Sequence, residues 1–190
     1  LLMETPHYWL HLYLTEGIVY PLASEVDEVL WLAAHGSRMI QLRDKASPKA
    51  EIYRKAKYLS SFFEKRREDH PERQPPLLII NDYADIAASV PVAGVHLGQA
   101  DGDPKKVRSM IGSNKIIGVS THSVEDARAA ERSGADYIGV GPIFSTPTKA
   151  EREAIGLETA RAIHDAVTLP TVAIGGLSPE NAGTVYETGI

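Results

Sequence analysis

Short β-branched runs alternate with helix-length amphipathic segments along this chain, and that alternation limits the possible folds more than any other feature. It is the pattern of parallel strands joined by crossover helices. Strands are predicted at residues 8–14, 39–42, 77–80, 93–96, 115–119, 137–140 and 171–174. Between them, Ile52, Ala56, Leu59 and Phe63 recur at helical spacing and predict an apolar helix face packed on the sheet. Helix starts are marked by Ser47-Pro48, Asp103-Pro104 and Ser178-Pro179, where a side-chain oxygen can cap backbone N–H groups and proline fits the first turn. Ser123 with Asp126 has capping-box spacing. Gly36, Gly112, Gly134 and Gly189 follow predicted helices, where glycine can take the left-handed conformation that ends them.

Such alternation fits either an open doubly wound sheet or a closed barrel. The distribution of polar residues favours the barrel: nearly every strand is followed at once by potential ligand-binding groups, whereas an open sheet concentrates its site at one switch point. The fold expected is therefore an α/β (β/α)8 TIM barrel, with residues 1–190 forming one domain. Its eighth strand and helix are expected to be missing, because the chain ends at Ile190; the first residue, Leu rather than Met, points to a missing beginning as well. Residues 70–76 read as an exposed polar loop.

Composition removes several alternatives. There is no cysteine, which excludes disulfides, thiolate catalysis and cysteine-bound metal centres. A net charge of -5 argues against a general nucleic-acid binder. No apolar run approaches the roughly 18 residues of a membrane helix, and no secretory signal is visible. A cytoplasmic protein is expected, without nucleic-acid or membrane partners and with a homo-oligomer admitted.

The strand ends hold the chemistry. After the second strand, Gln41, Arg43 and Lys45 lie on one side by alternation, converging two cations and an amide as suits an anion; the alternative is a charged turn ahead of Ser47. The third strand ends in Asn81-Asp82-Tyr83 and the fourth leads into His96-Leu97-Gly98-Gln99-Ala100-Asp101. Asp82 and Asp101 could share a Mg²⁺, which takes one or two carboxylates beside water and phosphate oxygens, or could each cap a helix. His96 reads as a hydrogen-bonded histidine of the barrel. Gly118-Val119-Ser120-Thr121-His122 brings hydroxyls and an imidazole to the same mouth. His122 could move a proton or merely precede the cap at Ser123. The connection from Gly141 through Thr146, Thr148 and Lys149 to about Ile155 is long for an α/β unit and reads as a lid over an anion or as a surface loop. Gly175-Gly176 offers bare backbone to a phosphate. Trp9, Trp31 and Phe144 read as packing groups.

In order and spacing, residues 41–45, Asn81-Asp82, residues 94–99 with Asp101, residues 118–122, 139–149 and 173–176 together resemble the thiamine phosphate synthase family. The resemblance implies transfer of the hydroxymethylpyrimidine group from its diphosphate to the ring nitrogen of thiazole phosphate, giving thiamine phosphate and pyrophosphate. It further implies Mg²⁺ on Asp82 and Asp101. Arg43, Lys45, Asn81 and Lys149 would hold the diphosphate, Ser120 would lie beside it, and Gln41 would orient the pyrimidine. Thr146 and Thr148 would contact the thiazole and Gly176 would cradle its phosphate. Arg43, Lys45, Ser120 and Lys149 are the catalytic set so implied. Tyr83 departs from a common arginine, and Glu16 from a common aspartate after the first strand. The related thiazole tautomerase, with a histidine at His122 moving a proton, and a non-catalytic thiamine-phosphate-binding regulator are the competing readings.

Overall fold

A computed structural model describes residues 5–146 and 153–190. They form two compact units, one running to His96 with Lys106–Ile116 added, the other made of Leu97–Lys105 and Ile117–Ile190. In chain order the elements are α1 (Pro6–Glu16), β1 (Leu22–Ala23), α2 (Val26–Ala34), β2 (Met39–Leu42), α3 (Lys49–Asp69), β3 (Leu77–Asn81), α4 (Ala84–Ser89) and β4 (Gly94–Leu97). They continue with α5 (Pro104–Ile111), β5 (Ile116–Thr121), α6 (Val124–Arg132), β6 (Tyr137–Val140), α7 (Gly156–Asp165), β7 (Thr171–Ala173) and α8 (Ala182–Tyr186). In the first unit β1, β2, β3 and β4 pair in that order, and in the second β5, β6 and β7; every one of these pairings is parallel.

Register sorts the first unit's residues by face. Gln41 lies beside Leu22 and Ile79, and Asn81 beside His96, so these three polar residues share one face with Met39 and Ile79. Ile40, Leu42, Leu78, Ile80 and Val95 form the other, which is wholly apolar. Apart from Leu22 on the two-residue edge strand, the apolar residues of both faces are buried, as parallel sheets require. The predicted stripe on α3 is core: Ile52, Ala56, Leu59 and Phe63 are all buried. Each such Leu, Ile or Phe contributes roughly 1.5–3 kcal/mol through burial.

In the second unit Gly118 and Tyr137 are register partners and share a face with Ser120 and Gly139. The buried Tyr137 ring fills the space where a Gly118 side chain would stand, so that a Cβ there would lie 2.2 Å from the ring. Gly118→Ala is therefore expected to destabilise the protein by about 1–3 kcal/mol through overpacking. Tyr137→Leu in the same chain should recover part of that loss, measured by urea unfolding; an unchanged midpoint for the single variant would contradict the packing described.

Residues 8–14 are helical, not the first strand. Thr5 Oγ1 accepts the Tyr8 N–H and Pro6 occupies the first helical position, so a start signal precedes the apolar run. That run is apolar or aromatic except at His11, so it carries little information about period. The first strand is Leu22–Ala23, too short to leave a periodic trace, and is fixed by Gln41 N–H to Pro21 O (3.0 Å) and Arg43 N–H to Ala23 O (2.7 Å). Glu16 consequently ends a helix, where it pairs with Arg38.

The other strands lie within two residues of expectation at each end, and β2 and β6 coincide with it. Gly36, Gly112, Gly134 and Gly189 all have φ between +82° and +92°. Asp103 Oδ1 accepts the Lys105 N–H at the start of α5, and Ser123 Oγ accepts the Asp126 N–H at the start of α6. Two starts differ. Ser47 is not a cap, because the cap position of α3 is Pro48 and has no side-chain bond. Pro179 does not begin a helix: Asn181 Oδ1 takes the Ser178 N–H, closing a turn before α8. Trp31 is 60% exposed and stacks on His35 rather than packing in the core.

Candidate functional site

In the first unit the predicted anion-binding residues stand at the carboxyl ends of β2 and β3. Gln41 is buried and donates through Nε2 to the Tyr20 hydroxyl (3.0 Å), which fixes its amide. Asn81 is buried at the last position of β3. Lys45 and Asp82 form an ion pair. Asp82 has φ +65°, a left-handed conformation that costs a non-glycine residue on the order of 1–3 kcal/mol. It is held there by its N–H to His96 O (2.8 Å) and by the Ala84 N–H to its own carbonyl (3.0 Å). Asp82 therefore does not cap α4; its carboxylate serves Lys45. The Arg43 guanidinium makes no ion pair with a described residue.

In the second unit Asp101 Oδ2 accepts the Gly98 N–H (2.7 Å), closing the turn after β4. A side chain at Gly98 would lie 2.7 Å from that oxygen, so the turn needs glycine. Gln99 Nε2 donates to the carbonyl of half-buried Ser120 and ties this turn to the end of β5. His122 Nδ1 touches the Gly141 carbonyl, an acceptor, so Nδ1 carries the proton there; its N–H donates to Asp126 Oδ2 (3.0 Å). This places His122 at a hydrogen-bonded corner beside the cap at Ser123. Asp82 and Asp101 offer only oxygen, and each already gives one oxygen to a protein donor. Each carboxylate taken by itself is of the kind that suits a hard cation completing its shell with water and other oxygens. Among the described residues no group of three or more histidine, aspartate or glutamate side chains is arranged to hold a metal by itself.

The loop after β6 is stitched to the end of β7. Ile143 N–H donates to Ile174 O (2.9 Å) and Phe144 N–H to Gly175 O (3.0 Å). Gly176, at φ +65°, could not carry a side chain without meeting Phe144 Cβ and the Ser145 carbonyl at 2.7 and 2.8 Å. Packing of the loop thus demands the glycine pair. Thr146 is half-buried next to this stitch. At the loop's other end Ile155 N–H returns to Pro142 O (2.8 Å) and Gly156 N–H to Ile143 O (3.2 Å), so both ends are tied at one base. Thr148 and Lys149 lie outside the described residues.

Sequence reasoning missed a buried cluster beneath β2. Asp44 Oδ2 and Lys55 Nζ are 2.7 Å apart, with side chains 2% and 9% exposed. Lys55 also donates to Glu25 Oε2 (2.8 Å) and Ser24 O (3.0 Å), while Asp44 Oδ1 accepts the Ala46 and Ser47 N–H groups. The available signal was alternation, which turns Asp44 away from Arg43 and Lys45. The Lys55 hydrogen bond, followed by those from Ser47 and Ala46, holds the Asp44 carboxyl well below the usual range. Burial pulls Lys55 down, but the bonds to Asp44 and Glu25 outweigh it and its ammonium is raised.

The signs give a pH prediction. A depressed carboxylate contributes stability above its unfolded value of about 3.9 and loses it as pH falls through the folded value; a raised lysine contributes below about 10.4 and loses it as pH rises through its folded value. The stability difference between the wild type and Asp44→Asn should therefore be greatest at neutral pH and shrink toward both extremes. A pH series of urea midpoints reads it, and a difference independent of pH would contradict the assignment.

Parallel α/β units with cations, amides and carboxylates at the carboxyl ends of their strands define the class: α/β proteins that bind ligands at strand ends. Residues 15–190 match the thiamine monophosphate synthase family, and the chain belongs to it. It is 43% identical over 155 residues to the thiamine-phosphate synthase of Clostridium acetobutylicum, covering 82% of this chain and 70% of that one. It is 42% identical over 180 residues to that of Shouchella clausii, covering 94% and 82%. Among solved structures, thiamine phosphate pyrophosphorylase from Pyrococcus furiosus superimposes with a TM-score of 0.76 at 36% identity, covering 90% of this chain and 81% of that one. FabK from Thermotoga maritima, at 14% identity, TM-score 0.66 and coverage of 90% and 55%, shares the fold alone. No helix among the described residues is long and apolar enough to cross a membrane.

Proposed function

We propose that the chain is a thiamine-phosphate synthase, a cytoplasmic transferase that joins hydroxymethylpyrimidine diphosphate to thiazole phosphate and releases pyrophosphate. Family membership together with the intact cationic segment Arg43-Asp44-Lys45 carries this reading. The fold it implies is a (β/α)8 barrel in which β1–β7 are the first seven strands of one domain.

The reaction needs a stabilised leaving group more than a strong base. Arg43, Lys45, Asn81 and Lys149 bind the diphosphate, and their fixed charges and donors oppose the negative charge that grows as the carbon–oxygen bond breaks. Asp82 and Asp101 would hold Mg²⁺, which when bound would supply Lewis-acid charge to the leaving group. Ser120 donates beside the diphosphate, and Gln41 keeps the aminopyrimidine in the plane where its electrons assist departure. Thr146 and Thr148 hold the thiazole so that its nitrogen meets the electron-poor carbon by proximity, with Gly176 against its phosphate. Lys45, paired with Asp82 before substrate binds, would turn to the diphosphate, and the Asp82 carboxylate would then be available to hold the cation.

The test supplies both substrates with Mg²⁺ and follows pyrophosphate release and thiamine phosphate formation. Chelation of the metal is expected to stop both, and restored Mg²⁺ to recover them. Absence of product with metal present sinks the reading; product formed equally well under chelation sinks the metal's part in it.

A further inference from the structure

The strand end that carries Arg43 and Lys45 has a buried underside for which the proposed reaction has no use. All three N–H bonds of the Lys55 ammonium are spent inside the protein, on Ser24 O, Glu25 Oε2 and Asp44 Oδ2. Asp44 divides its carboxylate between that ammonium and the two turn N–H groups of Ala46 and Ser47. The Ser24 and Glu25 N–H groups are in turn fixed by Glu28 Oε2, at 2.8 and 3.1 Å. A continuous run of directed bonds therefore leads from the first turn of α2, through Lys55 of α3, to Asp44 and the backbone of Ala46 and Ser47 that follows it.

A buried ion pair is a poor device for stability alone, since well-packed apolar residues of the same volume serve as well or better. What it supplies is direction. Arg43 and Lys45 are long side chains at a strand end, and a diphosphate bound by them must immobilise both. Fixing the backbone that carries them lowers that ordering cost and sets the distance between their charges. We propose that Asp44 and Lys55 are positioning residues, which lock residues 43–47 onto α3 and the β1–α2 corner so that Arg43 and Lys45 meet the diphosphate at one spacing. The inference rests on the diphosphate reading above.

The experiment compares the wild type with Asp44→Asn, which keeps an acceptor for the turn N–H groups and removes the charge that orients Lys55. Steady-state kinetics on both substrates and calorimetric titration with inorganic pyrophosphate and Mg²⁺ are measured where both proteins are folded. The expected result is a roughly tenfold weaker pyrophosphate affinity and a similar rise in KM for the diphosphate substrate, with KM for thiazole phosphate unchanged. In an Arg43→Ala background the same substitution should add little, because it acts through Arg43 and its neighbour. Unchanged kinetics in Asp44→Asn, equal losses for both substrates, or a loss fully additive with Arg43→Ala each overturn the inference. If Asp44→Asn does not fold, Lys55→Arg, which keeps the charge and alters its geometry, is read by the same criteria. A wild type that makes no thiamine phosphate overturns the proposed function instead, while its pyrophosphate titration still reports on this turn.

Discussion

Replacing Asp101 or Lys149 with alanine is expected to lower turnover on the order of 10²–10³-fold, the usual cost of removing one group that stabilises transition-state charge. His122→Ala should cost less than about tenfold. The contrast follows from where charge develops: the departing diphosphate gains negative charge, whereas no proton has to be taken by the protein for the thiazole nitrogen to bond. The geometry of His122 agrees, since its Nδ1 proton goes to the Gly141 carbonyl and its backbone to Asp126. Initial rates of pyrophosphate release in the three variants decide the matter. Loss of activity in His122→Ala alone, with Asp101→Ala and Lys149→Ala active, would move the assignment to a proton-moving isomerase.

The second large effect concerns stability. Asp44→Ala takes from the buried Lys55 ammonium its one buried carboxylate, leaving it the exposed Glu25 carboxylate and the Ser24 carbonyl, and strips the Ala46 and Ser47 N–H groups of their acceptor. Breaking a buried pair from one side costs about 3–5 kcal/mol, against a total stability of roughly 5–15 kcal/mol for a typical domain. At this chain length the melting temperature should fall by roughly 10 °C. Urea unfolding with a fixed m-value measures the loss, and a change below about 1 kcal/mol would show that the cluster relaxes or admits water.

Most of the sheet was legible because parallel strands buried on both faces leave unbroken apolar runs bounded by punctuation, as at Met39–Leu42 and Tyr137–Val140. The first strand was not. Two residues after Pro21 carry no period, while the apolar run of α1 imitates one. The strand-end residues could be read because chemistry-bearing side chains follow each strand directly in the chain. The Asp44–Lys55 cluster could not, since it unites the cap of one helix, the flank of another and a strand end that meet only on folding. Gly175 and Gly176 were legible as special positions, but the sequence suggests only room for a phosphate; that Pro142, Phe144 and Ser145 occupy the space beside them is a matter of packing.

The paired ties of Pro142 and Ile143 to Ile155 and Gly156 on one side, and of Ile143 and Phe144 to Ile174 and Gly175 on the other, make the base of this connection part of the sheet's rigid frame. The entropy of closing the loop is met at the base and grows only slowly with the length enclosed. The segment between Phe144 and Ile155 can therefore be exchanged as a cassette: substitutions, insertions or a graft from a relative should leave the strands beneath it in register.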